Sequence, residues 1–415
     1  MRRLWPLTVR GTGALVLALI CFVLANELGL VELRYFGMLL LALLLGSVVA
    51  LYLTRRTETV TRALHPDVAT VDHAIDVTVR VGVRTALATP PGAWSDALTK
   101  GLTGAAAGAF PAVGSGLRGT ARTVELEYSV TGMKRGIHSL GPLSITSTDP
   151  FGVARRRNVL GGRTPVTVAP EIIELPAVAS FAGAAGGTLP SSTTQMGQGA
   201  DNLIARPYAP GDARHRIHWR ATAHRDSLMV RQEEQESTPE AVVVLDRGTP
   251  RWVAEAARTP GADPGFERAV TACISVAAHL VHAGFAVTVI DSDGSELVER
   301  LEGGDLWALE EAAAQFATIT THGVDTLPHL PELFAGTTIG PIVVVTGRLE
   351  EQDATSLRAL VHHSSLPVLL STAPSREALE LAVDTGWQAA SIALDVDLAD
   401  AWSSTTSGGV GHVVR

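Results

Sequence analysis

The densest concentration of groups able to do chemistry lies between Arg206 and Arg231. Six arginines (206, 214, 216, 220, 225 and 231), three histidines (215, 218 and 224) and Trp219 fall within it. An arginine fork grips a carboxylate or phosphate through parallel N–H donors, and an indole face packs against a guanidinium. Pro210-Gly211-Asp212 reads as a turn, in which Asp212 caps a helix or pairs with a nearby arginine. The cluster therefore has two readings. One is a site for a phosphate or an acidic partner segment. The other, which we prefer, is a structural network in which Arg206, Asp212, Arg216 and Glu233 tie two domains together, because Arg–carboxylate pairs commonly fix geometry. Trp219 is then an anchor in that junction. His215 and His218, three residues apart, could share a helix face as metal ligands, but in an arginine-rich segment the surface reading is simpler.

Two further candidates end apolar runs. Ala241 to Leu245 runs into Asp246, and Ala286 to Ile290 runs into Asp291. Ligands of open α/β sheets sit outside such strand ends, although Asp291-Ser292-Asp293-Gly294 also reads as a plain turn. Other chemistries lack their motifs. There is no G-x-x-x-x-G-K-[ST] phosphate loop, and the only lysines are Lys100 and Lys134. No G-x-S-x-G elbow, H-E-x-x-H helix or cysteine pair at zinc spacing occurs, and no G-x-G-x-x-G joins a strand to a helix.

The elements that must carry these residues follow from composition and period. The chain has 415 residues, 46% hydrophobic and 18% charged, which suits two or three domains and excludes disorder as the main state. A net charge of −9 argues against a nucleic-acid binder, and two cysteines exclude a disulfide scaffold. The apolar excess is concentrated near the start, where Gly11 to Asn26 and Tyr35 to Thr54 carry no charge. The second stretch matches a bilayer at about 1.5 Å per residue, with Tyr35 and Tyr52 at its two interfaces. The first is either a second membrane helix or a signal peptide cleaved after Val23-Leu24-Ala25. Arg2, Arg3 and Arg10 before the pair, and Arg55, Arg56 and Arg62 after it, predict a hairpin with both ends cytoplasmic.

Beyond the pair, Ala74 to Thr85 and Arg122 to Val130 alternate as half-buried strands. Arg135 to Leu140, Leu143 to Thr148 and Pro165 to Val168 are further strands, with turns at Gly141-Pro142 and Asp149-Pro150. Residues 56–176 thus predict an antiparallel β-sandwich, interrupted at 90–119 by a Gly/Ala-rich insertion, either a loop or a short helix around Trp94 to Leu102. Residues 177–240 form a linker and the arginine segment. From 241 to 402, strands without alternation are followed by amphipathic helices, which predicts an α/β three-layer domain with a mostly parallel sheet. Residues 403–415 read as a frayed tail. The whole is a multi-domain chain, with residues 1–55 as two membrane helices over about 11–28 and 35–54.

A family resemblance rests on three pieces in order. Arg206-x-Tyr208-x-x-Gly211-Asp212 with Ile217-x-Trp219 and a following Leu228-Met229-Val230 strand resembles the signature of the domain-of-unknown-function 58 family. Leu140-Gly141-Pro142-Leu143 with Asp149-Pro150-Phe151-Gly152 is similar to its sandwich motif, and the paired apolar helices also fit. His218 stands where the family often has Asp, and His224 where Arg is common. The resemblance implies a bacterial, non-enzymatic plasma-membrane scaffold or adaptor without a cofactor. Its partner would be a MoxR-type AAA ATPase, in cell-envelope processes or complex assembly. It also implies a von Willebrand factor type A-like domain, whose metal is held by D-x-S-x-S after the first strand. Here that run is Asp246-Arg247-Gly248-Thr249-Pro250, and Thr346-Gly347-Arg348 stands where a later Asp is wanted, so Asp246 marks a degenerate site and no metal is expected. The alternatives are a hydrolase or transferase acting on a charged envelope precursor at Arg206–Arg231, or a metal-dependent adhesion module.

Overall fold

The structure, a computed structural model, describes residues 5–53, 56–85, 91–114, 122–177, 203–207, 229–233 and 238–406. The chain divides into two compact units. The first takes the chain up to Ile173 with Arg247–Ile274 and Glu310–Asp325, and the second takes Glu174–Asp246, Ser275–Leu309 and the chain from Thr326 onward.

The first unit opens with helices α1 (Val9–Leu28) and α2 (Val31–Leu53), both long and apolar enough to cross a membrane. Thr8 caps α1 by accepting from the Gly11 N–H, and Gly29 ends it in the left-handed conformation at φ 68°. Both helices start earlier than their uncharged stretches. Glu32 lies in the first turn of α2, where a negative charge offsets the helix dipole, so the connection shrinks to Gly29-Leu30. Gly37 of α2 gives the Phe22 ring of α1 room to pack.

Two sheets follow. One holds β1 (Arg56–His65), β3 (Ala74–Thr85), β7 (Arg122–Gly132) and β5 (Leu102–Gly104) in that order. The other holds β2 (Val68–Thr70), β10 (Thr164–Ala169), β8 (Gly136–Thr148), β4 (Gly92–Leu98) and β6 (Ala107–Phe110), with β9 (Arg155–Leu160) also on β8. The pairing is antiparallel except between β2 and β10, which run parallel. Alternate residues Ile75, Val77, Val79 and Val81 of β3 are buried with Leu140, Leu143, Ile145, Val166 and Val168 of the other sheet in one core.

Two expectations fail here. Within residues 90–119, Gly92–Leu98, Leu102–Gly104 and Ala107–Phe110 are strands rather than a loop or helix. The period was hidden because small residues provide clearance: a side chain at Gly92 would overlap the Thr146 carbonyl, and one at Gly108 would press on the Trp94 indole. The Gly141-Pro142 turn is absent too, since β8 runs through it. There β8 changes partner from β10 to β9, and β4 opposite carries a register shift, so the missing proline N–H interrupts no regular ladder.

One buried ion pair crosses this core. Arg62 donates from Nε and Nη2 to the two Asp96 carboxylate oxygens, each at 2.9 Å, and Tyr128 donates its hydroxyl to Asp96 at 2.8 Å. Burial first, and then the Asp96 carboxylate, push the Tyr128 phenol well above its usual range. Elsewhere in the unit Arg135 is buried, with its guanidinium bidentate to Glu267 at 2.7 and 2.8 Å and bonded to the Phe316 carbonyl.

In the second unit, β11 (Leu203–Pro207) and β12 (Met229–Glu233) form an antiparallel ribbon. A five-stranded parallel sheet runs β14 (Ala286–Asp291), β13 (Glu240–Leu245), β15 (Ile339–Leu349), β16 (Ser364–Pro374) and β17 (Gln388–Ser391). Val243 and Leu245 are as fully buried as Val244, so both sheet faces are covered, which is why these strands show no alternation. In chain order the sheet reads 2-1-3-4-5, a doubly wound arrangement whose switch point falls between β13 and β15. The helices of the α/β region are α3 (Pro264–His282), α4 (Leu306–Phe316), α5 (Leu330–Leu333), α6 (Glu351–Leu357), α7 (Arg376–Asp384) and α8 (Leu398–Thr406). Past α6 the chain tightens into a 3₁₀ turn from Arg358 to His363. Residues 403–406, expected to fray, belong to α8, where Trp402 is fully buried.

Candidate functional site

The C-terminal edge of the parallel sheet gathers the polar groups of the second unit. Register places Leu245 opposite both Asp291 on β14 and Val345 on β15. Asp246 is the next residue, and its N–H donates to the Val345 carbonyl at 2.9 Å, which holds it beside Thr346. Thr346 donates its hydroxyl to Asp246 Oδ2 at 2.7 Å. Ser292, just past β14, reaches Asp246 Oδ1 at 3.3 Å and Asp291 Oδ1 at 3.2 Å through the same hydroxyl. Its N–H donates to Asp291 Oδ1 at 2.6 Å, and its Oγ lies 2.6 Å from the Thr326 hydroxyl.

Asp246, Asp291 and Thr346 are fully buried and Ser292 nearly so. A hydroxyl has one proton, so Ser292 shares a single donor between two carboxylates while Thr326 is free to donate to it. The group is entirely oxygen: two carboxylates and three hydroxyls at the switch point of a doubly wound sheet. Hard divalent cations take such ligands.

Sequence spacing located Asp246 but not what surrounds it. The D-x-S-x-S run lacks its serines, and the hydroxyl arrives instead from Ser292, which reads as part of a turn in sequence. That turn exists, since the Gly294 N–H donates to the Asp291 carbonyl at 3.0 Å, yet Ser292 faces Asp246 as well. The available signal was a serine directly after a strand-ending aspartate. Thr346 bonds Asp246 from the end of the later strand, through a hydroxyl instead of a carboxylate. Arg247, the residue after Asp246, donates from Nε to the Thr320 carbonyl at 2.7 Å.

Of the arginine segment, the structure describes the two ends. Arg206 lies in β11 with its backbone opposite Val230 of β12, and Ala205 lies opposite Arg231. Tyr208, Gly211, Asp212, Arg216, His218 and Trp219 lie outside the described residues, as does His215.

This stretch has a counterpart among known families. Residues 204–298 match the family model "Protein of unknown function DUF58". The matched stretch therefore begins in β11 and runs past β14, and it contains Asp246, Asp291 and Ser292. No curated protein matches the chain. Among solved structures, the CARDB domain of the PF1109 protein from Pyrococcus furiosus, in complex with di-metal ions, is similar at 18% identity and a TM-score of 0.20, covering 28% of this chain and 96% of that one. A von Willebrand factor type A protein from Catenulispora acidiphila is similar at 12% identity and a TM-score of 0.26, covering 41% of this chain and 42% of that one. At these TM-scores the fold of the chain, the matched stretch included, rests on its own topology.

Proposed function

We propose that the protein is a membrane-anchored, non-enzymatic scaffold that works with a MoxR-type AAA ATPase, in cell-envelope processes or complex assembly. The observation that carries the reading is the joining of the two apolar helices to the sandwich. Thr8, at the base of α1, donates its hydroxyl to the Gly152 carbonyl at 2.6 Å, and Arg156 donates to the Leu51 carbonyl of α2 at 2.9 Å. Helices that cross a bilayer would thus hold the sandwich at its surface. In this reading the body is cytoplasmic and the partner supplies the ATP-driven step. Affinity capture of the tagged full-length chain from detergent extract tests it. A MoxR-type ATPase is expected in the eluate with nucleotide present. Recovery of no ATPase with or without nucleotide would remove the reading.

A second reading, a metal-dependent adhesion module, is favoured by one observation, the oxygen-only group at the sheet edge. Asp246, Asp291, Ser292 and Thr346 would hold a divalent cation, which would supply positive charge for a partner carboxylate. Calorimetric titration with Mg²⁺ should then give binding in the millimolar range or tighter that Asp246→Asn abolishes. Absence of heat with the folded protein would sink it.

A further inference from the structure

We infer that the base of the helical pair is a binding surface for anionic phospholipid headgroups, built around Arg10, Arg155, Arg156 and Arg157. The inference rests on the proposed anchorage, and it starts from the charges carried by the segment that joins the helices to the sandwich, Asp149 to Arg157. That segment is folded onto the starting end of α1 and the finishing end of α2. The Thr8 N–H donates to the Val153 carbonyl at 3.0 Å and the Arg155 N–H to the Pro6 carbonyl at 2.7 Å, with Leu7 bridged to Ala154. A side chain at Gly11 would overlap the Val153 carbonyl, so α1 seats directly on this turn.

Four cations lie in or beside this segment. Arg156 caps the end of α2, with its guanidinium 5.0 Å from the Tyr52 ring centroid. Arg155 and Arg157 point to the opposite side of β9 and are exposed, with Arg157 bonded to the Ser144 hydroxyl at 2.9 Å. Arg10 is exposed beside Gly152, within 3.8 Å of where a Cβ would stand. Among the described residues none of the four makes an ion pair. The acid within the segment, Asp149, is buried and accepts from the Phe151 and Ala154 N–H groups.

Aromatic side chains surround the same end. Trp5 is 58% exposed, Tyr52 50% and Phe151 63%. Exposed aromatic rings beside unpaired arginines, at the ends of bilayer-length helices, suit the zone where acyl chains meet headgroups. A soluble anion would have no use for those rings, whereas a phospholipid meets both features at once. Each juxtamembrane cation within a Debye length favours an anionic headgroup by about fivefold.

The test uses the full-length chain in phosphatidylcholine bilayers carrying a trace of spin-labelled phosphatidylglycerol or spin-labelled phosphatidylcholine. The motionally restricted fraction of each label is measured by electron paramagnetic resonance. Phosphatidylglycerol should be selected by about fivefold or more. R155Q/R157Q should bring the ratio towards one, and R155K/R157K should keep it; both spare Arg156 and its cap on α2. Millimolar glycerol phosphate should leave the ratio unchanged, and its collapse would mean a free-phosphate site and overturn the lipid assignment. Alkaline carbonate extraction reads anchorage separately. Release of the protein would overturn the anchorage and this inference together. Retention with a wild-type ratio near one, or with selectivity unaltered in R155Q/R157Q, would overturn this inference alone.

Discussion

Asp96 shows how much one side chain can carry in this protein. The Arg62 and Asp96 side chains are 2% and 0% exposed, so solvent screens neither of them. Removing one partner strands the other charge in the core, and Asp96→Ala should therefore cost about 3–5 kcal/mol in chemical unfolding of the detergent-solubilised chain. Loss below about 1 kcal/mol would show that Arg62 finds another acceptor or reaches water. Thr346 makes a smaller version of the same argument. Thr346→Val keeps the shape but leaves Asp246 Oδ2 without that donor, for an expected loss of about 1–3 kcal/mol in the same measurement. His279 sets a pH dependence. Burial first lowers its pKa below 6.5, the Leu175 backbone partly raises it, and His282 lowers it further. Above the ordinary value the ring is neutral in both states and its contribution is complete. As pH falls below it, the unfolded chain takes up a proton that the folded chain resists, so stability drops. The unfolding midpoint should fall between about pH 7 and pH 5, and His279→Gln should flatten part of that fall. An unchanged slope in the variant would assign the acid sensitivity elsewhere.

At the scale of elements, close strand approach explains the glycines that blur the sequence pattern. Gly340 in β15 lies where a Cβ would overlap the Glu240 carbonyl oxygen of the neighbouring β13. Backbone cannot step aside as a flexible side chain can, so Gly340→Ala should destabilise by about 1–3 kcal/mol. Gly284, whose Cβ would meet nothing within 4 Å, offers the contrast: its φ of +87°, not space, is what an alanine would strain. The strands in residues 90–119 belong here too. Trp94, Leu102 and Phe110 are buried at intervals that look irregular until β4 is placed against β8, β5 against β7 and β6 against β4.

For the whole molecule, the proposed topology makes an orientation claim. Cys21 and Cys273 are both buried, and burial pushes the Cys273 thiol well up, so neither competes with an introduced cysteine. Glu32→Cys, beside the Gly29-Leu30 connection, should react with a membrane-impermeant maleimide added outside intact cells. Arg163→Cys, on the exposed rim of the sandwich, should react only after permeabilisation. The reverse pattern would place the sandwich outside and remove a cytoplasmic ATPase from consideration.

Element types were largely legible from the residues. The apolar stretches appear as α1 and α2, the alternation at Ala74–Thr85 as β3, and the unbroken apolar runs ending at Asp246 and Asp291 as buried parallel strands. Alternation and apolar length are local properties, set by what one segment must bury, so a single chain displays them. What the charges do is not local. Arg62, one of the cations that follow the helices in sequence, is taken into the sandwich by Asp96, while Arg155 is brought to the start of α1 and Arg156 to the end of α2. Thr346 meets Asp246 from 100 positions away. Such partnerships depend on strand register and on which strand a crossover returns beside. Only the tertiary structure decides them, because they follow from pairing between segments rather than from the preference of any one.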